Sequence, residues 1–165
     1  MNNKGIRNLC FASVLAAFTF VVTRFIQIPI PLGYFNVGNS VILLGCLFMP
    51  TFYGTMAGSI GSALADLTSY PVYTIPTLII KALMPLAFYQ MRKMPVKNEF
   101  VRDLLAFIVA TLIPLVGYSV TGGILYGGFA AGLAQVPGLF LEYLANIAIF
   151  AVLYNPVRAI ANRTV

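Results

Sequence analysis

LCFASVLAAFTFVVTRFIQI, residues 9–28, decides the fold. Its 20 residues carry a single charge, Arg24. At a rise of about 1.5 Å per residue, a helix of that length covers about 30 Å, the thickness of a bilayer's hydrocarbon core. The rest of the chain repeats the pattern. Only 8% of the 165 residues are charged and 60% are hydrophobic, with a mean hydropathy of +0.92, whereas about a quarter of a soluble domain is charged. Lipid is the solvent this composition fits, and the length leaves room for one unit.

Working outward, apolar runs follow at 37–49, 51–67, 76–91, 104–127 and 133–157, punctuated by proline and charge. Pro50 stops the second run, Pro76 suits the first turn of the fourth, and Pro114 lies inside the fifth. The expectation is an all-α integral membrane protein of six transmembrane helices in a single domain, residues 1–165. The second run is short for a span. It must thin the bilayer, be shielded by its neighbours, or join the third run in a broken hairpin. The first run is long and lacks a small-residue cleavage pattern, so it does not read as a signal peptide.

Eight of the ten Lys and Arg residues fall in three places: Lys4 and Arg7; Arg92, Lys93, Lys97 and Arg102; Arg158 and Arg163. With six spans, these places lie on one side, and the positive-inside bias makes that side, with both termini, cytoplasmic. The opposite connections, 28–36, 68–75 and 128–132, carry neither Lys nor Arg. The net charge of +6 is therefore a topology signal, and nucleic acid is not expected as a partner.

Several chemistries lose their residues. The chain has no histidine, and Cys10 and Cys46 sit in apolar surroundings toward the same half. Zinc sites, Ser-His and Cys-His nucleophiles, haem ligation and a disulfide are not expected, and no cofactor or metal is implied. No GxxxxGK[ST] phosphate loop is present, so any energy source is borrowed.

Four charges lie inside the apolar runs: Arg24, Asp66, Lys81 and Glu142. Each costs roughly 2.5–3.5 kcal/mol to insert, so each needs a partner or a wet cavity. Glu142 is the deepest, about 13 Å into the last helix if that helix starts at Leu133. Gln135, Glu142 and Asn146 share its face. In the fifth helix Tyr118 stands four residues from Gly122, an aromatic surface beside a place for close approach. Structural readings compete. Asp66 and Lys81 would form an ion pair stapling the third helix to the fourth, Gln135 and Asn146 would be interhelical glue, and Arg24 would snorkel to the interface. The third helix, with Gly54, Gly58, Gly61, Ser62 and Ala65, reads as a close-packing surface. The first carries Ala12 and Ala16 with Ser13 and Ala17 alongside.

GYFNVGNSVILLGCLFMP, then FYGTMAGSIGSALADL, then YTIPTLIIKAL, in that order, resemble the vitamin-binding S components of energy-coupling factor (ECF) transporters, in the group that includes the riboflavin S component. The resemblance covers essentially the whole chain. It departs at Asn39, where related sequences often have an acidic residue. It implies a six-helix protein of the bacterial cytoplasmic membrane that binds a vitamin or precursor from outside. A transmembrane coupling protein (the T component) and two ATPase subunits would complete the transporter. It further implies docking of the coupling protein on Ala12 and Ala16, and a substrate cavity in the outer half, under the loop joining helices 1 and 2. Asn36, Lys81, Tyr118, Glu142 and Asn146 are then the substrate contacts, with Asp66 as partner or orienter of Lys81. Residues 29–36, with two prolines, Gly33, Tyr34 and Phe35, would close over the ligand as a lid.

A cavity of one lysine, one glutamate, an asparagine and tyrosines suits a small heteroaromatic ring carrying hydroxyl or amino groups. Hydroxymethylpyrimidine and pyridoxine fit that description best, with riboflavin also in play; the lack of tryptophan argues against a large cation such as thiamin. Two other classes compete. An intramembrane enzyme acting on lipid or isoprenoid groups would need the missing histidines or a clustered acidic motif, and a purely structural subunit would bind no ligand.

Overall fold

In lipid the backbone finds hydrogen-bond partners only within its own helices, so the apolar runs have one regular conformation open to them. The computed structural model describes residues 3–30 and 32–164. Six α-helices account for most of it: α1 (Asn3–Phe25), α2 (Gly38–Gly45), α3 (Thr51–Ser69), α4 (Thr74–Met91), α5 (Glu99–Leu125) and α6 (Phe129–Thr164). Four segments are long and apolar enough to cross a membrane: α1, α4 with the turn before it, α5 and α6. α3 has 19 residues, enough to cross, with its hydropathy diluted by glycine, serine and threonine. Pro76 stands in the first turn of α4, while Pro85, Pro114, Pro137 and Pro156 lie inside helices.

α2 is the exception to the transmembrane pattern. It has eight residues and gains one more turn from the 3-10 segment Cys46–Phe48. It is shielded by its neighbours: it touches α1, α3, α4 and α6, and Ile42 and Leu43 are fully buried. Around it the long helices pack in the order α1, α3, α4, α5, α6. The α1–α3 contact is close because Gly61 has no side chain where the carbonyl of Ala16 lies. Ala12 is turned into this contact, 8% exposed and packed with Leu15, Met49 and Ala57. Ala16 is half-buried, and the exposed small side chains of α1 are Ser13 and Ala17. Ala12 therefore serves the packing of α1 on α3, while Ala16 borders, with Ala17, an open apolar groove between the two helices.

Between α1 and α2 the chain forms a small antiparallel hairpin, β1 (Ile28–Ile30) and β2 (Gly33–Phe35), with Ile28 opposite Phe35 and Ile30 opposite Gly33. Ile28 and Ile30 each precede a proline, which drives both to extended backbone. Leu32 turns the chain at φ 60°, a strained value for a bulky residue, and its carbonyl accepts a hydrogen bond from the Tyr73 hydroxyl at 3.1 Å. Pro31, one of the two lid prolines, lies outside the described residues, as do Met1, Asn2 and Val165 of the termini.

The burial pattern is inside-out relative to a soluble protein. Lys81, Asp66 and Glu142 are 2%, 3% and 4% exposed, while Phe129 is 81% exposed. Beneath the buried charges, Ile42, Met84, Phe88, Phe107 and Phe150 make a dry core, with the Phe107 and Phe150 ring centroids 4.2 Å apart. At the end away from the hairpin, Asp103 is fully buried and accepts hydrogen bonds from Arg92 Nε, Arg102 Nε and the Tyr154 hydroxyl, each at 2.9 Å. The basic loop thus carries its own counter-ion.

Candidate functional site

The site is built on the N-terminal turn of α2. Its N-cap, Val37, has no side chain to satisfy the free N–H groups, so two asparagines supply the acceptors. Asn36 Oδ1 accepts from Gly38 N at 2.8 Å, and Asn146 Oδ1 reaches from α6 to accept from Ser40 N at 2.9 Å. Asn146 Nδ2 donates to the carbonyls of Asn36 and Glu142, both at 2.9 Å. The Ser40 hydroxyl bonds the same asparagine, at its carbonyl and at Oδ1. Asn146 is thereby saturated and fixes α2 against α6.

One residue further on, the Asn39 carboxamide joins two buried charges. Its Oδ1 accepts from Lys81 Nζ, and its Nδ2 donates to Glu142 Oε1 at 3.1 Å. A neutral amide offers an acceptor to the cation and a donor to the anion, which an ionised aspartate could not do. An asparagine at this position therefore has a local reason. Lys81 Nζ also lies 5.6 Å from the centroid of the Tyr118 ring.

A second chain of bonds ends on Asp66. The Tyr34 hydroxyl and the Thr77 hydroxyl each donate to its carboxylate, and the Tyr118 hydroxyl lies 3.0 Å from Thr77 Oγ1. With the Thr77 proton committed to Asp66, Tyr118 is the donor there. Tyr34 belongs to the hairpin, so this bond ties β2 to α3. Asp66 and Lys81 do not form an ion pair; each has taken other partners. That corrects the expectation of a staple between α3 and α4, and of Asp66 as the direct partner of Lys81.

Between these networks lies a cavity lined by Ile30, Gly33, Tyr34, Asn36, Asp66, Tyr70, Tyr73, Tyr118, Gln135, Leu139 and Glu142. Its roof is the hairpin. Ile30 seats in the space left by the missing side chain of Gly138 on α6, and the Tyr34 ring lies 5.3 Å from that of Tyr70. The space is narrow: the centre of a water-sized sphere can occupy only about 30 Å³ of it, room for about two waters. A ring entering here displaces side chains of the roof.

Of the residues expected to contact substrate, Asn36, Tyr118 and Glu142 line this cavity, and Asp66 lines it as well. Lys81 and Asn146 stand behind the lining, where one neutralises and the other braces. Of the other lining residues, Ile30, Gly33 and Tyr34 belong to the segment expected to cover the ligand, while Tyr70, Tyr73, Gln135 and Leu139 were not among the expected contacts. Tyrosines 70 and 73 flank a proline between two apolar runs, a cue in the sequence. Gln135 shares a helical face with Glu142, a second cue. Asn39 carried no signal beyond its departure from the family pattern. Among the described residues, no three His, Cys, Asp or Glu side chains come together to hold a metal ion.

A family model described as the S component of the ECF-type riboflavin transporter matches residues 3–159. An uncharacterized protein in the gap 3′ region of Pyrococcus woesei is 33% identical over 109 residues, 65% of this chain and 72% of its own length. Among solved structures, the S component of a bacterial ECF transporter superposes with a TM-score of 0.70 at 20% identity, covering 96% of this chain and 97% of its own. The S component for biotin from an ECF-type ABC transporter gives a TM-score of 0.56 at 17% identity, covering 93% and 94%. At those identities the two structures speak for the fold.

Proposed function

From the premise that this chain belongs to the family of ECF-type riboflavin transporter S components, we propose that it captures a small heteroaromatic vitamin or precursor from outside the cell and releases it inside. As a member it is a multi-pass membrane protein and the substrate-binding subunit of a transporter, not an enzyme. The proposal assigns it to the bacterial plasma membrane, with both termini and the 92–102 loop cytoplasmic. It also assigns it a transmembrane coupling protein and two ATPase subunits as partners.

The observation that carries the substrate class is the cavity lining: four tyrosines around two carboxylates, Asp66 and Glu142. Tyrosine rings stack on a flat heterocycle, and carboxylates accept from hydroxyl and amino groups. Lys81 is engaged by Asn39, so the charges facing the ligand are negative. A donor-rich, uncharged or protonated ring suits that field better than an anion. At about 30 Å³ the space is far below that of an occupied ligand pocket, about 300–1,000 Å³, so any ring must displace part of the roof, and a one-ring ligand such as hydroxymethylpyrimidine or pyridoxine asks for the smaller displacement. Riboflavin would require the hairpin to move outward.

The coupling protein is assigned to the exposed face of α1. There Ser13 and Ala17 are small and exposed, and Ala16 and Ala17 border an apolar groove shared with Leu64, Leu67 and Thr68 of α3. Small side chains let a partner helix approach closely.

Mass spectrometry of the molecule that co-purifies with the detergent-extracted protein, followed by calorimetry with pyridoxine, hydroxymethylpyrimidine and riboflavin, tests the reading. Micromolar or tighter binding of one of the three is the expected result. A co-purified isoprenoid with no vitamin binding would overturn it in favour of an intramembrane enzyme.

A further inference from the structure

Behind the main cavity the structure holds a second, smaller chamber. Tyr118, Leu139 and Glu142 line both spaces, so these three side chains form a partition with one compartment on either side. The far walls of the chamber include Asn39, Thr111 and Pro114. The two compartments differ in character. The first is broad and aromatic. The second gives the centre of a water-sized sphere only about 10 Å³, space for about one water, and polar side chains take a large part in its lining.

We infer that this chamber is a subsite for one small polar substituent of the ligand, a hydroxymethyl or amino group carried on the ring held in the tyrosine-lined cavity. The inference rests on the substrate class proposed above and adds to it which part of the ligand is read, and where. Size sets the first limit, because a pocket for about one water takes a hydroxyl or an amino group and rejects a larger arm. Chemistry sets the second. Glu142 in the partition is a buried acceptor; Asn39 gives it one donor, and a carboxylate has lone pairs for more, so a substituent passing it finds an acceptor. The third support is the backbone. Pro114 brings no N–H to the carbonyl one turn earlier in α5, and inside a membrane an interrupted helical ladder is tolerated where it borders protein or a polar cavity. Thr111 spends its proton on the carbonyl of Phe107 at 2.8 Å, which leaves its oxygen able to accept.

Matched ligand pairs test this by calorimetry: pyridoxine against its deoxy analogue lacking one hydroxymethyl hydroxyl, and hydroxymethylpyrimidine against the analogue with a methyl in that place; tight binding of riboflavin alone, whose hydroxylated arm is too large for the chamber, overturns the subsite. For the vitamin that binds, the wild-type protein should prefer the hydroxylated member by about tenfold, the worth of one hydrogen bond to a buried charged acceptor. Thr111→Leu and, independently, Leu115→Phe at another lining residue fill the chamber. In either variant the two members of the pair should bind within about twofold of each other, because the filled chamber takes neither substituent. A preference retained in a folded filled variant, or absent in the wild type, overturns the subsite and leaves the vitamin reading standing. Failure of all three vitamins to bind the wild type overturns that reading, and the subsite with it.

Discussion

Replacing Asn39 by leucine removes the one group that joins Lys81 to Glu142 while roughly keeping volume and shape. Two hydrogen bonds to charged groups are lost, the 3.1 Å bond to Glu142 Oε1 and the bond from Lys81 Nζ. Each such bond is worth about 1.5–3 kcal/mol, so the gross loss is about 3–6 kcal/mol. The lower figure applies, because without the amide between them the lysine and the glutamate can approach one another. For a chain of this size about 3 kcal/mol corresponds to a fall of about 6–12 °C in melting temperature. Lys81→Met leaves Asn39 Oδ1 without its donor and Glu142 without its nearest positive charge, a cost of about 3 kcal/mol or more. Because both variants break the same network, the double variant Asn39→Leu/Lys81→Met should be more stable than the sum of the two losses predicts by at least about 1 kcal/mol. A thiol-reactive dye reports unfolding directly: Cys46 is buried and Cys10 exposed, so a Cys10→Ala background leaves one protected reporter. Melting of Asn39→Leu within about 2 °C of the parent, or strict additivity in the cycle, would refute the bridging role of the carboxamide.

Three further outcomes follow from the same geometry. Tyr34→Phe unties the hairpin from Asp66, so limited proteolysis of residues 28–36 should quicken and bound vitamin should dissociate about 5–30-fold faster, the kinetic equivalent of about 1–2 kcal/mol; unchanged cutting and release would rule out the hairpin as a latched lid. Glu142→Gln should weaken vitamin binding by about 1–3 kcal/mol in a folded protein, whereas Asn146→Ala should first lower the melting temperature, because Asn146 braces α2. Calorimetry and melting on the same samples separate the two, and a folded Asn146→Ala protein that has lost only affinity would return Asn146 to the site. Ala17→Leu should abolish co-purification with the coupling protein without touching vitamin affinity, while Ala12→Leu overpacks the α1–α3 contact and costs about 1–3 kcal/mol of stability. Capture of the partner unchanged by Ala17→Leu would move docking to another face.

The sequence by itself determined the solvent, and with it most of the secondary structure. Runs of 16 to 25 apolar residues in lipid must be helical, since no other conformation satisfies their backbone, and the chain's length and composition are all that argument needs. Of the buried charges it marked Asp66, Lys81 and Glu142, because a charge inside such a run is conspicuous whatever surrounds it, but not Asp103, which lies just outside one. Partners were beyond its reach. Asp66 and Lys81 have opposite charges at the edges of adjacent helices, and only the packed bundle shows that Thr77 and Tyr34 reach the aspartate while Asn39 reaches the lysine. Ala12 and Ser13 are neighbours in sequence, yet helical geometry turns one into α3 and the other outward, a choice made by the groove that Gly61 opens. The hairpin, the central position of the short α2 and the partition between two compartments depend on side chains up to 110 residues apart along the chain. Local propensity carries no information at that range, so only the tertiary structure could decide them.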